Sequence, residues 1–325
     1  MARIAISWQA GREQSERWTR YFEGEAVVSD LDLLPPEERL EILADSDVLW
    51  SWNPGRELND AELLGLGRLR LLQLISAGAD HVPFAKLPPA VTVASNVGAY
   101  SEPIAEHALA MALALAKHLV PNHCRLMAGH FNQAAMNGSL RHATVGIIGL
   151  GGIGRATADL MRGLGAVIWA INRSGHTDAD VDFIGTLADL ERVLKGCDVV
   201  VLALALTKAT RSLIGARELA WMKEDAILIN VARAGLIDEA ALYQHLRAHP
   251  SFQAGIDAWW VEPFASGQFK LSYPYGDLPN LLGSPHNAPM VSGVMPRATE
   301  RAAENIRRFL RGEALVGVAD RQNYL

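Results

Sequence analysis

The chain has 325 residues, half of them apolar, so it can bury sizeable cores and is long enough for about two domains. Its formal net charge of -6 offers no general basic face, which argues against nucleic acid as a partner. The cysteines, Cys124 and Cys197, are too few for a disulfide framework and lack metal-ligand spacing, so no metal is expected and a reducing, cytoplasmic compartment fits. Arg3, Arg12, Glu13 and Glu16 leave no apolar leader for export. The most apolar window, 104–120, is interrupted by Glu106, His107, Lys117 and His118, and reads as a buried helix rather than a membrane span.

From the start of the chain, short strand-like and helix-like pieces alternate. Apolar runs at 3–7, 26–28, 48–51, 71–75 and 91–94 predict strands, and spacing at 13–22, 36–43 and 60–66 predicts helices between them. This is an α/β unit of its own. Directly after its fourth strand come Ser76, Ala77, Gly78, Ala79 and Asp80. A small-residue turn at the carboxyl end of a parallel strand exposes backbone N–H groups that can bind a carboxylate; the same residues also suit a plain tight connection. Trp50 and Trp52 either face a cleft and limit substrate size or pack in the core, packing being expected for at least one. Residues 96–101 form a linker, Ser101 with Pro103 and Glu106 reads as a helix start, and an alanine- and leucine-rich helix over about 103–119 follows. So apolar a helix must be covered on several sides, by its own domain and by a second subunit, and the polar segment 122–141 is expected to cross to that partner.

A strand at 143–148 then leads into Gly149, Gly151 and Gly154, spaced G-x-G-x-x-G, and into a helix with Ala156, Ala158, Leu160, Met161 and Leu164 at helical spacing. Strand, glycine turn and helix in this order make a dinucleotide site. Gly149 takes the tight turn, Gly151 lets the backbone approach a pyrophosphate, Gly152 and Ile153 complete the loop, and Gly154 allows close helix packing. The next strand, 167–171, ends in Asn172, Arg173 and Ser174. An NAD enzyme places Asp or Glu here to hold the ribose 2′-hydroxyl, whereas a neutral residue followed by Arg suits a 2′-phosphate. NADP(H) is therefore preferred, with NAD(H) also usable; the alternative is a surface arginine that touches nothing. Asp178, Asp180 and Asp182 come too late for the acidic role.

Further strands at 198–204, ending near Thr207, and at 226–230, 253–256 and 281–283 complete a run of about six. Helices at 187–194, 216–222 and 239–249, the last capped by Asp238, alternate with them and predict a doubly wound parallel sheet. Ligands of such sheets sit at the carboxyl ends of the strands. Just past those ends stand Arg233, Asp257 with Glu262, and His286. An Arg, a carboxylate and a His together suit reduction of a 2-oxo acid, or the reverse oxidation. Arg233 would pair with the substrate carboxylate, His286 would exchange the proton with the carbonyl oxygen, and Glu262 would orient the imidazole and favour its protonated form. The other nine histidines are read as exposed or packing residues.

The segments 230–238, 257–263 and 284–287 resemble the three signatures of the D-isomer-specific 2-hydroxyacid dehydrogenases, as do residues 76–80, 105–107 and 146–154. The resemblance implies a Rossmann-type, doubly wound cofactor domain (98–288) inserted in a smaller flavodoxin-like α/β substrate domain (1–97 plus 289–325, with a helix at 295–311). It implies a homodimer formed through the cofactor domain, backbone N–H groups of Ala77 and Gly78 helping Arg233 with the carboxylate, and Asp257 bonded to the nicotinamide carboxamide. Departures are Ala234 where the family usually has Gly, Ala205 where Pro is common, Gly152 where a larger side chain is usual, and two adjacent tryptophans, Trp259 and Trp260, opening the aromatic stretch 259–279. Those aromatics are expected to pack between domains or subunits rather than touch substrate. Lacking an evident extra cationic pocket for a phosphorylated substrate, the chain is expected to reduce glyoxylate or hydroxypyruvate. Alternatives are oxidation of formate or phosphite, and a corepressor-like role in which a bound cofactor governs partner binding.

Overall fold

The computed structural model describes all 325 residues, the side chain of Ala265 excepted. The chain divides into two compact units, one of residues 1–99 with 292–325 and the other of residues 100–291.

The first unit is built on five parallel strands, β1 (Ala2–Ile6), β2 (Ala26–Asp30), β3 (Val48–Ser51), β4 (Leu71–Leu74) and β5 (Thr92–Ala94), in the order β2-β1-β3-β4-β5. This is the flavodoxin-like order. Alternate residues serve opposite faces, as a period of two requires. Ile4, Ile6, Trp50 and Leu71 pack with Trp18 and Phe22 and with Ala302 and Ile306 of helix Val294–Leu310. On the opposite face Ala5, Leu49, Leu72 and Leu74 pack with Leu31, Leu43 and Leu63. Trp50 is thus core, with Trp52 partly buried against the same cluster. A short helix, Pro54–Glu57, was not legible in the sequence; what fixes it is tertiary. The Glu57 carboxylate accepts from Ser7 Oγ (2.7 Å), Ser51 Oγ (2.6 Å) and the Asn53 N–H (2.7 Å).

The second unit carries seven parallel strands: β6 (Thr144–Ile148), β7 (Val167–Ile171), β8 (Phe183–Gly185), β9 (Val199–Leu202), β10 (Ile227–Asn230), β11 (Gln253–Ile256) and β12 (Leu281–Gly283). Their order is β12-β11-β10-β9-β6-β7-β8, with the chain running outward in both directions from the β6/β9 junction, as in the Rossmann fold. The expected six strands become seven because β8, three residues between Asp182 and Thr186, is too short and polar-edged to show a pattern.

The long apolar helix spans Ser101–Ala116 and so starts at Ser101 as expected, with Tyr100 in the cap position making no side-chain cap bond and Ser101 Oγ buried with no hydrogen-bond partner among the described residues. At the other end His118 turns left-handed (φ 50) and a separate helix, Leu119–Met127, begins where a polar crossing was expected. Helix Ser101–Ala116 seats against the sheet at Gly255, where an added Cβ would lie 3.2 Å from Met111 Sδ. No helix among the described residues is long and apolar enough to cross a membrane.

Candidate active site

The glycine loop has the geometry a pyrophosphate needs. Gly149 adopts φ 104, and a Cβ there would meet Ala203 O at 2.7 Å. At Gly154 a Cβ would lie 2.0 Å from Gly149 O, so helix Gly152–Gly163 can approach β6 only without a side chain there. Gly151, by contrast, faces open space: an added Cβ would meet nothing within 4 Å. Gly151 is also the cap residue of that helix and provides no side-chain bond to it, so the first-turn N–H groups remain available to an anion. These residues fit a dinucleotide.

At the end of β7, Asn172 is occupied with shaping the turn. Its Oδ1 accepts from the N–H groups of Ser174 (3.1 Å) and Gly175 (2.7 Å), and its Nδ2 donates to His176 O (2.7 Å). Arg173 and Ser174 are exposed beside it. The aspartates that follow are engaged elsewhere: Asp178 with Arg155 (2.6 Å), and Asp180 and Asp182 with Arg162 (3.2 and 2.9 Å). The Arg155 hydrogen bond holds the Asp178 carboxyl below its usual range. Past β9, Thr207 donates its N–H to Thr210 Oγ1 (2.8 Å), which in turn donates to Ala205 O (2.7 Å), so that turn closes on itself without the usual Pro.

The neighbouring strands β10, β11 and β12 carry the remaining groups at one edge of the sheet. Buried Asn230 ties down the turn after β10, accepting from Ala232 N–H (3.1 Å) and donating to Arg233 O (2.9 Å). Arg233 is half-buried, and its Nη1 donates to Ala232 O (2.9 Å). Glu262 and His286 are brought together: His286 Nδ1 lies 2.7 Å from Glu262 Oε2. A carboxylate only accepts, so Nδ1 carries the hydrogen and Nε2 is the outward nitrogen available to a substrate. The other oxygen, Oε1, accepts from the backbone N–H of Trp259.

His286 is left-handed (φ 52), a conformation that costs a non-glycine residue about 1–3 kcal/mol. Its neighbours offset that cost. Buried Asp257 accepts from Ser284 Oγ (2.5 Å) and from the N–H groups of Asn287 (3.2 Å) and Ala288 (3.3 Å). Bonds to a charged acceptor contribute about 1.5–3 kcal/mol each, so this set with the Glu262 contact exceeds the strain. Asp257, expected only at the nicotinamide, is therefore also the anchor of the loop that carries His286.

His107, given no role of its own in the sequence beyond the resembling segment 105–107 and set among the exposed or packing histidines, supports the site. It sits 2.9 Å from Ser284 Oγ and 3.7 Å from Asp257 Oδ1. Ser284 gives its one proton to Asp257, so its oxygen can only accept, and His107 Nε2 must carry the hydrogen. The signal was a half-buried polar residue on an otherwise apolar helix face. The aromatic stretch packs within its own unit: Trp260 stacks on Tyr275 (6.2 Å, 8°), and Tyr243 of helix Glu239–Ala248 stacks on Tyr273 (4.6 Å, 21°).

In the first unit, Ser76 Oγ donates to Gly78 O (2.9 Å), and Asn96 N–H donates to Ser76 O (2.9 Å), which braces the turn after β4. Ala77 and Gly78 are half-exposed. His81, also set among the exposed or packing histidines, lies 2.9 Å from Trp52 O and joins this turn to the end of β3.

A Rossmann-type sheet with a glycine loop free of side chains at Gly149, Gly151 and Gly154 and a carboxylate-held imidazole at its carboxyl edge defines a dinucleotide-dependent oxidoreductase. Residues 109–288 match the family model "D-isomer specific 2-hydroxyacid dehydrogenase, NAD binding domain". The chain is 32% identical over 253 residues to a glycerate dehydrogenase of Methylorubrum extorquens, covering 75% of this chain and 77% of that one. It is 28% identical over 331 residues to a glyoxylate reductase of Aeropyrum pernix, 98% and 96% of the two chains. Among solved structures, a protein of Pyrobaculum aerophilum provisionally named a formate dehydrogenase superposes with a TM-score of 0.84 at 25% identity over the whole of both chains. The chain belongs to the D-isomer-specific 2-hydroxyacid dehydrogenases, a family of nicotinamide-dependent oxidoreductases.

Proposed function

We propose that this enzyme reduces a small 2-oxo acid of the glyoxylate or hydroxypyruvate kind to the D-2-hydroxy acid, with NADPH preferred to NADH. The observation that carries the reaction is the Glu262–His286 pair at 2.7 Å, which leaves Nε2 free to hold a proton over the carbonyl oxygen. Arg233 binds the substrate carboxylate through its guanidinium fork. When bound, the nicotinamide supplies the hydride to C2. His286 gives its Nε2 proton to the carbonyl oxygen as that hydride arrives, and Glu262 balances the charge on the ring. Asp257 and Thr207 border the cofactor, and Asp257 Oδ2, with one long contact, retains a lone pair for the carboxamide.

Support for NADPH comes from the turn after β7, where Asp178, Asp180 and Asp182 are paired with Arg155 and Arg162 and Arg173 is exposed. The test is a screen of 2-oxo acids with both reduced cofactors, and of formate and phosphite with both oxidised ones. Higher kcat/KM with NADPH on glyoxylate or hydroxypyruvate is the expected result. Preference for NADH sinks the cofactor assignment, and turnover of formate or phosphite alone sinks the substrate assignment.

We also infer a homodimer formed through this unit. Helix Leu119–Met127 buries none of its residues, and Leu126, Met127, Phe131 and Met136 are 47, 67, 76 and 88% exposed. A nine-residue helix without a covered face is marginal in water, so it requires a partner surface. Light scattering should give twice the chain mass of 35.3 kDa, and a Met127→Asp, Phe131→Asp variant should give a single chain. A monomeric parent protein removes this reading.

A further inference from the structure

Holding a left-handed His286 against Glu262 requires that two separate loops keep one register, and a single residue bonds to both, through its backbone N–H on one side and its side chain on the other. Trp259 donates its backbone N–H to Glu262 Oε1 and its indole Nε1–H to Ser284 O at 2.7 Å, two residues before His286. Its ring lies against β12 so closely that a Cβ on Gly283 would come 2.6 Å from Trp259 Cζ2. Phe269 and Tyr275 meet the ring edge-on at 6.0 and 5.8 Å between centroids, which fixes its plane.

We propose that Trp259 is a positioning residue for proton transfer, its indole N–H locking the His286 loop to the Glu262 loop; the proposal rests on the reading of His286 as proton donor. An indole nitrogen is a donor only, so its bond to Ser284 O has one direction and one geometry. A phenyl ring at this position would fill most of the space but leave Ser284 O without that donor. Gly283 is the second half of the device, since any larger residue would push the indole off its acceptor.

Trp259→Phe and Gly283→Ala attack the same contact from opposite sides. Each is expected to lower kcat roughly ten- to a hundredfold, the scale for a displaced catalytic group, with KM for the 2-oxo acid and NADPH affinity nearly unchanged. The solvent deuterium isotope effect on kcat should rise in both, because proton delivery becomes slower than the other steps. The downfield proton resonance of the His286 Nδ1–H bound to Glu262 should weaken or move upfield, a signature that needs no turnover. Variants that keep the parental isotope effect and resonance overturn the proposal. So does a loss of activity that only tracks a loss of folded, NADPH-binding protein, or failure of both variants to fold. Where one variant alone fails to fold, the other decides. His286→Ala, assayed in parallel, separates the two levels: near-parental turnover there removes the proton-donor reading itself. An inactive His286→Ala beside an unaffected Trp259→Phe removes only the positioning role.

Discussion

Replacing His286 by alanine is expected to remove roughly two to four orders of magnitude from kcat, the range for a positioned general acid. NADPH binding should survive, because the glycine loop and the turn after β7 lie at other strand ends. The magnitude follows from geometry. With Nδ1 committed to Glu262, Nε2 is the only ring position left to exchange a proton with substrate. Removing the ring also removes the contact that holds Glu262 Oε2, while Oε1 keeps its bond to the Trp259 N–H. Glu262→Gln should therefore be milder than His286→Ala, since an amide can still orient the ring but cannot balance its charge. The check is kcat with saturating NADPH and a 2-oxo acid, with cofactor affinity read separately by fluorescence. Near-parental turnover would assign the proton to another donor.

Loss of Arg233 is expected to act on binding as well as on rate. Truncating one partner of a hydrogen-bonded charge pair costs about 2–5 kcal/mol, which is a thirty- to several-thousandfold loss in kcat/KM for the 2-oxo acid. Arg233→Ala removes the fork altogether. Arg233→Lys keeps the charge but not the two parallel donors, and should fall between the parent and the alanine variant. The rigid setting of Arg233, on a turn tied twice by the side chain of buried Asn230, is what makes lysine a poor substitute. Equal kcat/KM for the parent and the alanine variant would show that the carboxylate is held elsewhere.

Much of the fold was readable because its elements are built from local pattern. Strands at 48–51, 167–171, 253–256 and 281–283 stand where the apolar runs place them, since each is a short apolar run bounded by turn residues. The glycine loop was readable for a stricter reason: at Gly154 no side chain fits within the 2.0 Å left to Gly149 O. Arg233, Glu262 and His286 could be selected because the alternation of strands and helices puts their segments at strand ends, and strand ends are where such sheets bind ligands.

Other features depended on contacts between residues far apart in sequence. The short helix held by Glu57 and the edge strand β8 carry little local signal, because Ser7 and β7, outside each segment, stabilise them. The same holds for the support behind the site. Nothing in the sequence joins His107 to Ser284, 177 positions away, or Trp259 to Ser284, 25 away. Sequence alone thus determined the family and the sheet order's general kind and singled out the candidate groups, which need only residue type and strand position. Tertiary structure decided how those groups are held, since a left-handed His286 is stable only where Asp257, Ser284 and Glu262 close around it.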